Sequence, residues 1–224
     1  MHSPVPGRFL DVPDETERQA SIAANLRYFE LMRACGVAEI VIHPISAYLY
    51  GSEEEVQAAR SRIADSLGRL ADRAGEVGLR LAVENLVCSP DEQAIRWLGG
   101  STASLLELIA DLGDHVGICQ DIGHTALAGL DPVAEWRTAA SAGKAFSLHL
   151  HDVTAQNRDH YIPGEGGLDF EAFLSEVDAA GFTGGRVLEI SPGRPEGATA
   201  SDVRGRLRQV SAVRREWEAR GEER

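Results

Sequence analysis

Five short apolar runs recur along the chain, AEIVIH (38–43), LRLAVE (79–84), VGICQD (116–121), AFSLHLHD (145–152) and GRVLEI (185–190), and amphipathic stretches separate them. Each run is too short for a helix and rich in Val, Ile and Leu, so each reads as a buried strand. The stretches between them carry helical spacing. It is clearest over 53–77, where Ile63, Leu67, Leu70, Ala74 and Val77 fall three or four residues apart on one face. Further helices are expected over roughly 14–35, 101–113, 131–143, 169–180 and 199–218, with Gly36, Gly78, Gly113 and Gly181 as stops. Such alternation specifies a parallel sheet covered by helices, either an open doubly wound sheet or a closed (β/α) barrel.

Polar residues at the strand ends choose between the two. Glu84, Asp121, His149 and Glu189 each stand at or near the C-terminal end of a different run. In a barrel they converge on one face, where barrel enzymes keep their active sites. An open sheet places its ligand at a switch point, usually beside a glycine-rich phosphate loop, and the chain has neither GxGxxG nor GxxxxGK[ST]. The expected fold is therefore α/β, a (β/α) TIM barrel. It explains why VGICQD ends on Asp121 with His124 three residues on: the strand tip opens into a polar site that offers partners the interior would deny. Three carboxylates brought close repel each other unless a cation sits among them. Three oxygen donors and one imidazole suit Mn, Mg, Co or Zn, and ligand type does not choose between these.

Composition narrows the partners. A single domain over 1–224 is the simplest organisation for 224 residues with 43% hydrophobic and 25% charged content. The formal net charge of -13 argues against a nucleic-acid backbone as partner and leaves small molecules. Cys35, Cys88 and Cys119 form no CxxC pair and read as reduced core thiols of a cytoplasmic protein. No signal-like N-terminus and no apolar stretch of about 18 residues is present, so neither secretion nor a membrane is expected.

Taken in order, VIHP (41–44), LAVEN (81–85), QDIGH (120–124), LHLHD (148–152), DHYIPGEGGLDF (159–170) and VLEI (187–190) resemble the xylose isomerase-like TIM-barrel superfamily, and most closely its sugar-phosphate isomerase/epimerase branch. The likeness runs from His2 to about Ile190. It implies one divalent metal held by Glu84, Asp121, His149 and Glu189, substrate oxygens contacted by His124 and Arg158, and Glu84 and Glu189 as an acid/base pair on opposite faces of a sugar or sugar-like substrate. The chemistry is consistent: a metal polarises a carbonyl and its neighbouring hydroxyl, a carboxylate takes the acidified C–H proton, and an enediolate results. Dehydration of a cyclic polyol or keto acid could use the same site. His2, His43, His124 and His160 also match positions in the related endonuclease IV branch, which cuts DNA at abasic sites. That branch expects an aspartate at position 158, where this chain has Arg158, and the acidic charge opposes DNA.

Each assignment has a plainer rival. Glu84 or Glu189 alone could be salt-bridged strand ends. His43, before Pro44, either orders a loop or joins His124, Arg158 and His160 as a substrate contact. His151 is expected to face away from His149, as a packed residue or one that supports a ligand. His115 reads as a solvated surface group, the PGEGGLDF glycines as a turn or a substrate loop, and Tyr48, Tyr50 and Trp97 as packing. A non-catalytic role predicts neither metal nor turnover. Counting Met1–Pro4, six strands are found where a barrel has eight, so the first two strand–helix units are expected to be missing. The open edges predict a homo-oligomer. Residues 191–224 should form one C-terminal helix and a tail that frays near Glu216.

Overall fold

The computed structural model describes residues 10–44, 52–87, 98–191 and 199–222. Five strands, β1 (Glu39–Ile42), β2 (Arg80–Glu84), β3 (Val116–Asp121), β4 (Ala145–Leu150) and β5 (Gly185–Leu188), form one parallel sheet in sequential order β1-β2-β3-β4-β5. A doubly wound sheet reverses its order at a switch point. This one never does, and it curls as part of a (β/α) barrel. The expected first strand, Met1–Pro4, lies outside the described residues, as do His2, Tyr48, Tyr50, Cys88 and Trp97.

Helices α1 (Glu15–Ala34), α2 (Glu53–Val77), α3 (Thr102–Leu108), α5 (Pro132–Ser141), α6 (Phe170–Ala179) and α7 (Ala200–Glu222) fall where the periodicity places them. Their ends follow local chemistry. Asp14 and Ser52 cap α1 and α2 by accepting the amides of Glu17 and Glu55. Gly78 closes α2 at φ 72°, a left-handed conformation that costs glycine nothing. Three expectations need correction. The helix expected over 101–113 ends at Leu108, so Gly113 caps nothing. The last helix does not fray near Glu216 but runs to Glu222, because Trp217 stacks on Phe170 at 5.6 Å. A seventh helical segment, α4 (Ile122–Leu127), follows β3 without a loop. Asp121 caps it through a 2.8 Å bond from the His124 amide, and six residues are too few to show a helical period.

Strand side chains alternate between two layers. Ile40, Ile42, Leu81, Val83, Val116 and Ile118 pack outward against the helices. Leu148 and Leu150 do the same with Trp136, Phe170 and Phe173. The inner face carries Val41, Ala82, Cys119 and Phe146. Phe146 is there because of a bulge: Ala145 pairs with Ile118 and Ser147 with Cys119, so Phe146 is an extra residue that resets the alternation. The reset brings His149 opposite Asp121 on the inner face. Gly117 makes room, since a Cβ there would stand 2.4 Å from the Phe146 ring. Among the described residues no helix is long and apolar enough to cross a membrane.

Candidate metal centre

All strand C-termini of a parallel sheet lie at one edge, and this places the polar residues together. Glu84 ends β2, Asp121 ends β3, His149 is the penultimate residue of β4 and Glu189 follows β5. One ligand atom from each of the four lies within 4.8 Å of the others. Glu84 and Asp121 are fully buried, and the Glu189 side chain keeps 35% exposure.

Hydrogen supply is the limiting feature. His149 Nδ1 lies 3.1 Å from Glu84 Oε1 and 2.9 Å from Glu189 Oε2. One N–H cannot serve both, and Glu189 Oε2 is a buried oxygen without an aligned hydrogen bond. Burial alone would make His149 less basic, but Cys119, Glu189 and Glu84 beside it outweigh that and hold it well above its usual range. Burial would likewise raise Glu189, whose pKa the hydrogen-bonding approach of His149, and then its charge, instead pull well below the usual carboxylate range. Such a group tolerates a divalent cation far better than its own company. The four residues fit the metal on this ground: hard oxygen donors, one imidazole, and a buried oxygen without an aligned hydrogen bond.

Further imidazoles surround the four. His43 Nε2 reaches Glu84 Oε2 at 3.2 Å. His124 Nδ1 donates to the Asn85 carbonyl at 3.0 Å, and His160 Nδ1 donates to the Glu189 carbonyl at 2.9 Å. The expectation that His151 faces away from His149 is wrong: residues two apart along an extended chain share a face, and His151, just past the strand end at Leu150, meets the Asp121 carboxylate with Nε2 at 3.0 Å. His124, His151 and His160 form a compact triple, yet both nitrogens of His151 already have partners, so it is not an open ligand set. Arg158 is not brought in: it is exposed, on a turn closed by the Thr154 amide donating to its carbonyl.

Three other expectations are revised or extended. His115 is not a solvated group, because Nε2 bonds the Ala71 carbonyl at 2.8 Å and the ring fills the space left by Gly75 and Gly113. Cys35 is exposed rather than part of the core, whereas Cys119 is buried beside His149 and burial pushes its thiol up to about 11. Asn85 is a site residue that sequence reasoning passed over. Its side chain donates to the Asp121 carbonyl and to Thr125 Oγ1 and accepts the Asp121 amide at 2.7 Å, so it ties the end of β2 to the start of α4. A polar residue directly after a buried strand-end glutamate was the available signal. Asp152 is a second. Its carboxylate accepts the amides of Val153, Gly164, Gly166 and Leu168, which makes it the anchor of the PGEGGLDF loop.

Comparison with known proteins agrees with the fold. The sequence matches the family model described as xylose isomerase-like TIM barrel over residues 1–210. Among curated proteins it is 26% identical over 203 residues to the rhizopine catabolism protein MocC of Rhizobium meliloti, covering 78% of this chain and 58% of that one. It is 24% identical over 208 residues to an inosose dehydratase of Lacticaseibacillus casei, covering 79% and 63%. The chain thus spans under two thirds of these relatives' length. Among solved structures, a D-tagatose 3-epimerase-like protein superposes with a TM-score of 0.79 at 20% identity, covering 99% of this chain and 77% of that one. The IolI protein, solved with a bound zinc atom, gives 0.70 at 23% identity, covering 92% and 72%.

Proposed function

We propose that this chain, which belongs to the xylose isomerase-like TIM-barrel family, is a divalent-metal-dependent sugar or sugar-phosphate isomerase or epimerase. The observation that carries the reading is the meeting of three carboxylates and one imidazole from four strand ends, with Glu189 Oε2 buried and without an aligned hydrogen bond. Glu84, Asp121, His149 and Glu189 would hold one ion, with zinc tested first because the IolI neighbour carries it, then Mn, Co and Mg. When bound, the ion supplies Lewis acidity toward a substrate carbonyl and its neighbouring hydroxyl, acidifying the C–H between them.

The protein's own groups then move the proton. Glu189 accepts it: among the three carboxylates it alone has substantial exposure, and its Oε2 carries no aligned hydrogen bond. Glu84, held by His43 and His149, is the opposing acid. Returning the proton to the other face of the same carbon inverts that carbon. Returning it to the neighbouring carbon shifts the carbonyl. His43, His124 and His160, which surround the four residues, bind substrate oxygens, and Arg158, exposed on a turn outside the cluster, would reach only a distal hydroxyl or phosphate. We place the enzyme in the cytoplasm, where an exposed free Cys35 stays reduced.

The test begins with metal analysis. Wild type should hold about one ion per chain, and Glu84→Ala should lose it. The loaded protein is then incubated with ketoses and ketose phosphates in deuterated water, where deuterium entering the sugar without loss of water supports the proposal. Glu189→Gln should retain metal and lose at least about 100-fold in exchange rate. The likeness to inosose dehydratase supports a second reading, dehydration of a cyclic polyol or keto acid. Water loss with formation of an unsaturated ketone would select it. A loaded protein that exchanges nothing and dehydrates nothing overturns both.

A further inference from the structure

His151 is used by no step of the proposed reaction, yet it is among the most enclosed polar side chains of the site. Nδ1 accepts the backbone amide of His160 at 3.0 Å, well inside its 3.4 Å separation from the Asp152 carbonyl. The proton of the ring is therefore on Nε2, which points at Asp121 and straddles its carboxylate, 3.0 Å from Oδ1 and 3.1 Å from Oδ2. His160 takes the connection onward. Its backbone is left-handed, at φ 57°, a conformation that a histidine rarely holds without support. Its ring lies against His151 at 4.3 Å, its Nδ1 donates to the Glu189 carbonyl, and its own carbonyl accepts the Ser191 amide. One imidazole thus connects the end of β3 to the residue that follows β5.

The surroundings are shaped for that ring. A Cβ on Gly123 would stand 1.9 Å from His151 Cε1 and 2.4 Å from its Nδ1. Only glycine at the start of α4 lets an imidazole reach Asp121 from this side. Next to it, Asp152 gathers four loop amides, so the chain leaving β4 is held at two consecutive side chains.

We propose that His151 is a positioning residue with two separable roles: Nε2–H orients the Asp121 carboxylate for the metal, while Nδ1 fixes the backbone of His160, the residue bonded to the Glu189 carbonyl. This rests on the metal reading of the site above. Outer partners of ligating groups fix ligand orientation, and losing one costs about 10- to 100-fold in metal affinity.

Two near-isosteric variants separate the halves of the bridge. In His151→Gln the amide nitrogen can still donate to Asp121, but the acceptor for the His160 amide is lost. In His151→Asn the amide oxygen can still accept from His160, but nothing reaches Asp121. Zinc and manganese affinities are measured by titration calorimetry on the metal-free chains, and amide hydrogen exchange is followed at His160. The expected pattern is crossed. His151→Asn loses about 10- to 100-fold in affinity and keeps His160 protected; His151→Gln stays within about 3-fold in affinity by the same scale, while His160 exchange accelerates at least 10-fold. Equal loss of affinity in both variants would mean that the ring merely fills space, and wild-type affinity in both would mean that it positions nothing; either result overturns the proposal. If wild type binds no ion, the metal reading fails, and the bridge is judged by exchange alone, where unchanged protection of His160 in His151→Gln sinks it.

Discussion

Asn85 makes three buried side-chain hydrogen bonds across the gap between β2 and β3, two of them to the backbone of Asp121. Removing one partner of a buried hydrogen bond leaves the other unsatisfied at a cost of about 1–3 kcal/mol. Asn85→Ala should therefore destabilise the metal-free chain by about 2–4 kcal/mol in urea, and also weaken metal binding, because Asp121 loses the amide that sets its backbone. Full stability in the variant would show that water replaces the side chain. Glu84, Asp121, His149 and Glu189 were legible as separate strand ends because an acid after an apolar run is conspicuous. Asn85 was not. Its importance depends on a partner 36 residues away, and the local signal in LAVEN, a polar residue directly after the strand-end glutamate, does not name that partner. The expectation at His151 failed because it put residues two apart on opposite sides, whereas a period of two gives His149 and His151 one face, and His151 keeps that side just past the strand end at Leu150.

Elements add constraints of shape. The bulge at Phe146 turns that ring inward over Gly117, with Arg80 stacked 3.7 Å from its centre. Gly117→Ala forces a Cβ into the ring, and overpacking of this kind costs about 1–3 kcal/mol. Pairing it with Phe146→Leu should recover part of the loss, a coupling that a double-mutant cycle in urea reads directly; strict additivity would show that the ring is not what Gly117 accommodates. The PGEGGLDF loop offers a second test. Asp152→Ala leaves four amides without their carboxylate, so exchange at Gly164, Gly166 and Leu168 should accelerate by more than about 10-fold while β1 and β2 keep their protection. Uniform acceleration across the sheet would assign Asp152 to global stability instead. Helix limits were readable to within a few residues where a cap was present, as at Asp14, Ser52 and Gly78. The short α4 was hidden, because its first turn is made by the same Asp121 that ends the strand.

At the scale of the whole molecule, β1 pairs only with β2 and β5 only with β4 among the described residues. Val187 on β5 is 47% exposed. Unpaired parallel edges favour association, so this chain should run as a dimer or larger in light scattering, and a clean monomer at micromolar concentration would refute that. Order along the chain, the parallel sheet and the residues at the strand tips were determined by sequence alone, because hydrophobic period and chain polarity are local properties that survive any packing. Which groups share a proton, why His151 turns toward Asp121, and how a bulge restores His149 to the inner face were decided only by the tertiary structure. Those features depend on distances between segments tens of residues apart, and such distances exist only once the sheet has curled and its strand ends have met.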